Sequence, residues 1–110
     1  FFLNVHEGPQ SISKFNSVKI EKGMVLSNEP GFYKKGFFGI RIENLVYVKK
    51  TKNNLHFENL TFAPIETDLI NYKLLNKNEK NYLFKYHLDI YSKYSQYLDL
   101  KERKWLASLI

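Results

Sequence analysis

Two glutamates stand in apolar, strand-like sequence: Glu29 in NEPGFY, residues 28–33, and Glu43 in GIRIEN, residues 39–44. A carboxylate in such a setting is costly to bury unless something positive meets it. An arginine, a metal ion, or solvent on an exposed strand face would each answer the need. Antiparallel strands can bring the two glutamates together across a sheet, where like charge would drive one of them to protonate. A divalent cation removes that conflict. Carboxylate and imidazole ligands suit manganese, zinc or cobalt, and pairs of ions about 3.5–4 Å apart form hydrolytic sites. His6 is the candidate imidazole. Two glutamates and a histidine do not fill two coordination spheres, so the metal reading needs further ligands. The plainer reading leaves both glutamates exposed on strands, pairs Glu43 with Arg41, and makes His6 structural or solvated. His56, in a polar stretch, and His87, on an expected helix, read as structural.

The elements that would carry these residues are legible. Residues 1–6 look extended, Gly8-Pro9 breaks the pattern, and residues 10–22 read as loop. Met24-Val25-Leu26 begins a strand toward Glu29, ended by Pro30-Gly31. Phe32-Tyr33 and Phe37-Phe38 flank a turn at Lys34-Lys35-Gly36. Residues 39–48 alternate with period two. Ile40, Ile42, Asn44, Val46 and Val48 share one face; Arg41, Glu43, Leu45 and Tyr47 share the other. One continuous strand would set Arg41 and Glu43 roughly 6–7 Å apart. Residues 49–56 read as a polar connection and 57–65 as another strand ended near Pro64. Beyond residue 66 the spacing turns helical. Asn76 with Glu79 resembles a capping box, and Leu83, Tyr86, His87, Ile90, Tyr91 and Tyr94 follow at helical spacing. Asp99 with Glu102 marks a second cap, with Leu100, Trp105, Leu106 and Leu109 along one side of a short last helix. Strands first and helices after imply an α+β arrangement.

Bulk properties narrow the classes. The 110 residues suit one modest domain with a single core. At 44% hydrophobic and 16% aromatic the chain is not disordered in character. It has no cysteine, which excludes disulfides and thiolate metal sites and suits an intracellular protein. No apolar run approaches the ~20 residues of a membrane span. The net charge of +6 is diffuse: nine basic against five acidic residues in 1–60, eight against six in 61–110. No Lys/Arg block marks a nucleic-acid patch, and only Arg41 and Arg103 could fork a phosphate. A lysine-rich solvated surface accounts for the charge. There is no initiator methionine, and the mid-strand look of Phe1–Val5 suggests a piece of a longer protein.

NVHEGP at 4–9, GMVLSNEPGFY at 23–33 and GFFGIRIENLVYV at 36–48 together resemble the C-terminal part of the catalytic domain of aminopeptidase P, the Xaa-Pro aminopeptidases. These are pita-bread metallopeptidases, related to prolidase and methionine aminopeptidase. The likeness continues through LTFAPIETDLI at 60–70 and NYLFKYH at 81–87 and is similar to the large cytosolic type. It implies the C-terminal portion of a pita-bread fold, with 1–65 in the catalytic domain and 66–110 its helical extension. It implies a dinuclear site, most simply two manganese ions, with zinc or cobalt possible. On that resemblance Glu29 coordinates one metal and takes the proton of the attacking water. Glu43 bridges both metals. His6 contacts the substrate near the scissile bond, and Arg41 and Tyr33 hold the glutamates in place. The activity implied is hydrolysis of an N-terminal Xaa-Pro bond by a metal-bridging hydroxide, in a cytoplasmic homodimer.

Three of the family's five metal ligands, two aspartates and a histidine, lie upstream of what this chain contains. The chain alone is therefore expected to be inactive, with the remainder of the same polypeptide supplying the missing ligands. The other readings are a prolidase-like dipeptidase segment, a pita-bread interaction module without metal, and, last, a basic nucleic-acid binder.

Overall fold

The structure, a computed structural model, describes residues 8–110. The expected strand at 1–6, and His6 with it, lie outside the described residues. The chain divides into two compact units, Phe1–Thr61 and Phe62–Ile110. Length suggests a single core; the described residues instead form two buried clusters, one in each unit.

The first unit holds β1 (Val25–Asn28), β2 (Gly31–Lys34), β3 (Phe38–Arg41), β4 (Asn44–Thr51) and β5 (Asn54–Asn59). All pairings are antiparallel: a three-stranded sheet in the order β1-β4-β5, and a two-stranded sheet of β2 and β3. Asn28 faces Asn44 in one sheet and Gly31 faces Arg41 in the other. The two ladders thus share one register, with two residues left unpaired on each side between them. The strand expected across 39–48 is consequently two strands. Pro30 lies opposite Ile42 and has no amide to donate, so the ladder lapses there. A single bond, Ile42 N–H to the Pro30 carbonyl at 3.2 Å, carries the chain across the break.

The period-two pattern sorts the near half of this hairpin as expected. Leu26, Val46 and Val48 are buried together, with Ile20 and Met24 packed on them, and Asn44 is buried on the same side. Beyond the break the pattern does not translate into burial. Every residue of β2 and β3 is exposed, and so is Ile42. The turn at 35–37 forms as expected, with Gly36 at φ 77°, a left-handed value that glycine adopts without a Cβ clash. Residues 10–22 contain no strand or helix. Asn16 ties part of this loop, donating to the Pro9 carbonyl at 2.9 Å and accepting from the Val18 amide at 2.8 Å.

The polar stretch 49–56 is not a connection. It is the tip of the β4–β5 hairpin, turning at Lys52-Asn53, with Lys52 at φ 52°. The alternation test detects half-buried strands, and these strand ends are exposed on both faces. On this hairpin Glu58 pairs with Tyr47 across the strands, accepting from its hydroxyl, and binds Lys49 Nζ at 2.6 Å. Lys49 first, and then Tyr47, push the Glu58 carboxyl down to about 2. The strand expected through residue 65 ends at Asn59. Past it, the Leu60 amide still donates to the Leu45 carbonyl at 2.8 Å, and the Thr61 hydroxyl accepts from the Leu45 amide.

The second unit is helical: α1 (Lys77–Tyr94), a 3-10 turn (Ser95–Tyr97) and α2 (Leu100–Ser108). Both expected capping boxes form. Asn76 accepts from the amides of Asn78 and Glu79, and Glu79 returns a bond to the Asn76 amide. At α2 the Asp99 carboxylate accepts from the Glu102 amide, and Glu102 accepts in return from the Asp99 amide. Each cap satisfies amides that a helix start leaves open, an effect of about 1 kcal/mol. Leu83, Tyr86, His87 and Ile90 are the buried face of α1. Tyr86, Ile90 and Leu106 form the core, with Phe62, Ile65, Tyr91 and Leu98 against it. The side chains of α1 also anchor residues 62–65. The Tyr86 hydroxyl donates to the Ala63 carbonyl at 2.8 Å, and the Ile65 amide donates to His87 Nε2 at 3.1 Å. Of the four residues expected to line one side of α2, only Leu106 is buried; Leu100, Trp105 and Leu109 are exposed.

Candidate metal centre

The break in the hairpin is where the two carboxylates meet. Glu29 follows the last residue of β1 and Glu43 precedes the first residue of β4, so the shared register sets them opposite one another. Arg41, the last residue of β3, lies between them. Its Nη1 is 3.3 Å from Glu29 Oε2 and its Nη2 is 3.1 Å from Glu43 Oε2. One guanidinium therefore spans both acids. Arg41 was expected beside Glu43 on one strand face or reaching behind Glu29, and it contacts both glutamates. Glu43, and then Tyr33, hold the Arg41 guanidinium even more firmly protonated than usual.

Tyr33 belongs to this arrangement as a neighbour that helps keep Arg41 protonated. Its ring lies across two glycines. A Cβ at Gly31 would sit 2.6 Å from the Tyr33 hydroxyl oxygen, and one at Gly39 would sit 2.6 Å from ring carbon Cδ1. Both side-chain positions must be empty for the ring to lie flat over the hairpin and bring its hydroxyl to Arg41.

A contact that sequence reading passed over involves Ser27. Its hydroxyl donates to Glu29 Oε1 at 2.8 Å. The signal was present, since residues two apart on a strand share a face. Ser27 and Glu29 also line an open cleft of about 890 Å³ with Gln10, Gly23, Leu26 and Leu45, which leaves Glu29 accessible from that side.

Glu29 and Glu43 present hard oxygen donors that fit manganese, zinc or cobalt. Among the described residues no group of three or more His, Cys, Asp or Glu side chains is gathered to hold a metal. These two carboxylates fit one side of a metal site, and a metal bound there would take its other donors from outside the described residues. His6 is outside them. His56 is exposed, 3.5 Å from Glu58, and His87 is buried in the helical unit. No helix among the described residues is long and apolar enough to cross a membrane.

The chain is similar to known proteins over nearly its whole length. The chain is 45% identical to a probable Xaa-Pro aminopeptidase P of Coprinopsis cinerea over 118 residues, covering 96% of this chain and 19% of that protein. It is 44% identical to aminopeptidase P2 of Arabidopsis thaliana, covering 94% of this chain and 16% of that one. The chain thus spans about a fifth or less of the curated relatives it matches. The solved X-prolyl aminopeptidase of Caenorhabditis elegans, described as a cytosolic enzyme with a dinuclear active site, superposes with a TM-score of 0.81 at 38% identity. That match covers 97% of this chain and 19% of the nematode chain. The α+β arrangement is that of a pita-bread aminopeptidase. Residues 2–50 match the model of metallopeptidase family M24 and residues 53–109 that of the C-terminal region of peptidase M24. This chain belongs to metallopeptidase family M24.

Proposed function

We infer that this chain is a segment of a dinuclear-metal aminopeptidase that removes an N-terminal residue preceding proline. The observation that carries the reading is the facing pair Glu29 and Glu43, held by one arginine at a break in an otherwise regular hairpin. Paired carboxylates are otherwise costly to set together. Their maintenance in one register supports a role as shared ligands, with Glu29 and Glu43 the residues that would hold two divalent ions. Bound there, two divalent ions, most simply manganese, would activate water and polarise the scissile carbonyl.

The chain's own residues orient and protonate. Arg41 holds one oxygen of each glutamate, which fixes both carboxylates in direction, and Tyr33 holds Arg41. Glu29 takes the proton of the attacking water on a carboxylate oxygen. His6 donates to the oxygen that gains charge as the peptide bond is attacked, a contribution typically of about 2.7–4 kcal/mol. The remaining ligands come from the rest of the same polypeptide, which acts as a cytoplasmic homodimer on peptides with proline second.

The test compares the isolated chain with the longer polypeptide carrying it. With manganese present, the longer protein should hydrolyse an Xaa-Pro peptide and the isolated 110-residue chain should not. Turnover by the isolated chain would refute the incomplete-site reading. A longer protein with neither turnover nor metal uptake would favour the metal-free interaction module instead.

A further inference from the structure

We propose that Ser27 is a positioning residue for the metal centre: its hydroxyl sets the direction of the Glu29 carboxylate through the bond to Oε1. The inference rests on the reading of Glu29 as a metal ligand. Glu29 is held on both oxygens, by Arg41 at Oε2 and by Ser27 at Oε1. The two restraints differ in kind. Arg41 is a cation that also holds Glu43, so its charge opposes any divalent cation brought to the same carboxylates. Ser27 is neutral. Its hydrogen bond orients Glu29 without adding a positive charge that would repel a metal.

Position strengthens the case. Ser27 lies within β1, on the regular side of the break, where the ladder to β4 holds its backbone opposite Leu45. Glu29 is the irregular residue that follows the end of β1. The hydroxyl therefore transmits the order of the sheet to a ligand on a non-regular segment. Ser27 is half-buried and Glu29 is 25% exposed in its side chain, so water competes only partly for this bond. Hydrogen-bonding partners of metal ligands typically change metal affinity about 10–100-fold when removed.

The experiment uses the longer polypeptide and reads manganese binding directly, by loss of the free Mn²⁺ electron paramagnetic resonance signal on titration. Two variants of matched shape are compared, Ser27→Thr and Ser27→Val. Both are β-branched and suited to a strand, and they differ in the hydroxyl alone. Ser27→Thr should bind manganese about as the parent does. Ser27→Val should bind about tenfold or more weakly, with an unchanged circular dichroism spectrum. If Val disturbs the fold, Ser27→Ala makes the same comparison. Equal affinity in the Thr and Val variants would overturn the role of Ser27 while leaving the metallopeptidase reading intact. A parent protein that binds no manganese, zinc or cobalt would overturn both.

Discussion

The helical unit and the hairpin that carries Glu29 and Glu43 satisfy their polar groups in opposite ways. In the helical unit the partners are internal. Two capping boxes close the helix starts, the Tyr86 hydroxyl reaches the Ala63 carbonyl, and His87 accepts the Ile65 amide. Ile90 is fully buried at the centre. The outer half of the hairpin has no buried residue, and Phe32, Phe37 and Phe38 are 52–76% exposed. Its two acids share one arginine that is itself 49% exposed. A unit built for stability closes its own hydrogen bonds and core. The outer hairpin keeps charge and apolar surface open, and its break falls where Arg41 contacts both carboxylates.

The largest effect should come from the open site. Glu43→Gln in the longer polypeptide keeps the shape and removes the charge that a bridging role needs. Activity on an Xaa-Pro peptide should fall by about a thousandfold or more, the scale of several kcal/mol of lost metal-borne stabilisation. Steady-state kinetics at saturating manganese measures it, and near-normal activity would remove Glu43 from the site. Helical structure, followed by circular dichroism, should be unchanged.

The next effect belongs to the closed unit. Ile90→Ala empties a fully buried position and should cost about 2–5 kcal/mol. Hydrogen exchange resolves where the loss falls. Amides of α1 should lose protection while those of β4 keep theirs; equal loss in both would show that the two units unfold together.

A smaller, pH-dependent effect should come from His87. Burial lowers its pKa below the ordinary 6.5, and the Ile65 amide needs the lone pair at Nε2. The unfolded state therefore binds a proton more readily than the folded one. The stability this group contributes is complete above about pH 6.5 and is lost as the pH falls from there toward the lowered folded value. Thermal unfolding of the helical unit should shift to lower temperature between pH 7.5 and pH 5.5. His87→Gln, which has no titrating group, should flatten that slope, and an unchanged slope would assign the acid sensitivity elsewhere.

Local signals were the legible ones. Asn76 with Glu79 and Asp99 with Glu102 are caps because a short polar side chain and an acid three residues on are enough to make one. The turn at Lys34-Lys35-Gly36 and the buried series Asn44, Val46, Val48 follow from glycine and from period two in the same way. Resemblance in the EPG and RIEN segments pointed to the family, and the two glutamates of that resemblance do lie opposite each other. What misled was burial inferred from pattern alone. Leu100 and Trp105 have helical spacing yet stay exposed, and Ile40 and Ile42 alternate correctly yet lie beyond the core. The 49–56 hairpin was hidden for the converse reason, since a strand exposed on both faces carries no alternation to read.

The sequence by itself determined which residues can bond to near neighbours: caps, turns, strand polarity and the two acids in apolar company. Only the tertiary structure decided that Arg41 spans both acids and that Gly31 and Gly39 clear a path for Tyr33. Those contacts depend on a register held across a two-residue break. Register arises from many pairings acting together, so no single stretch of residues displays it.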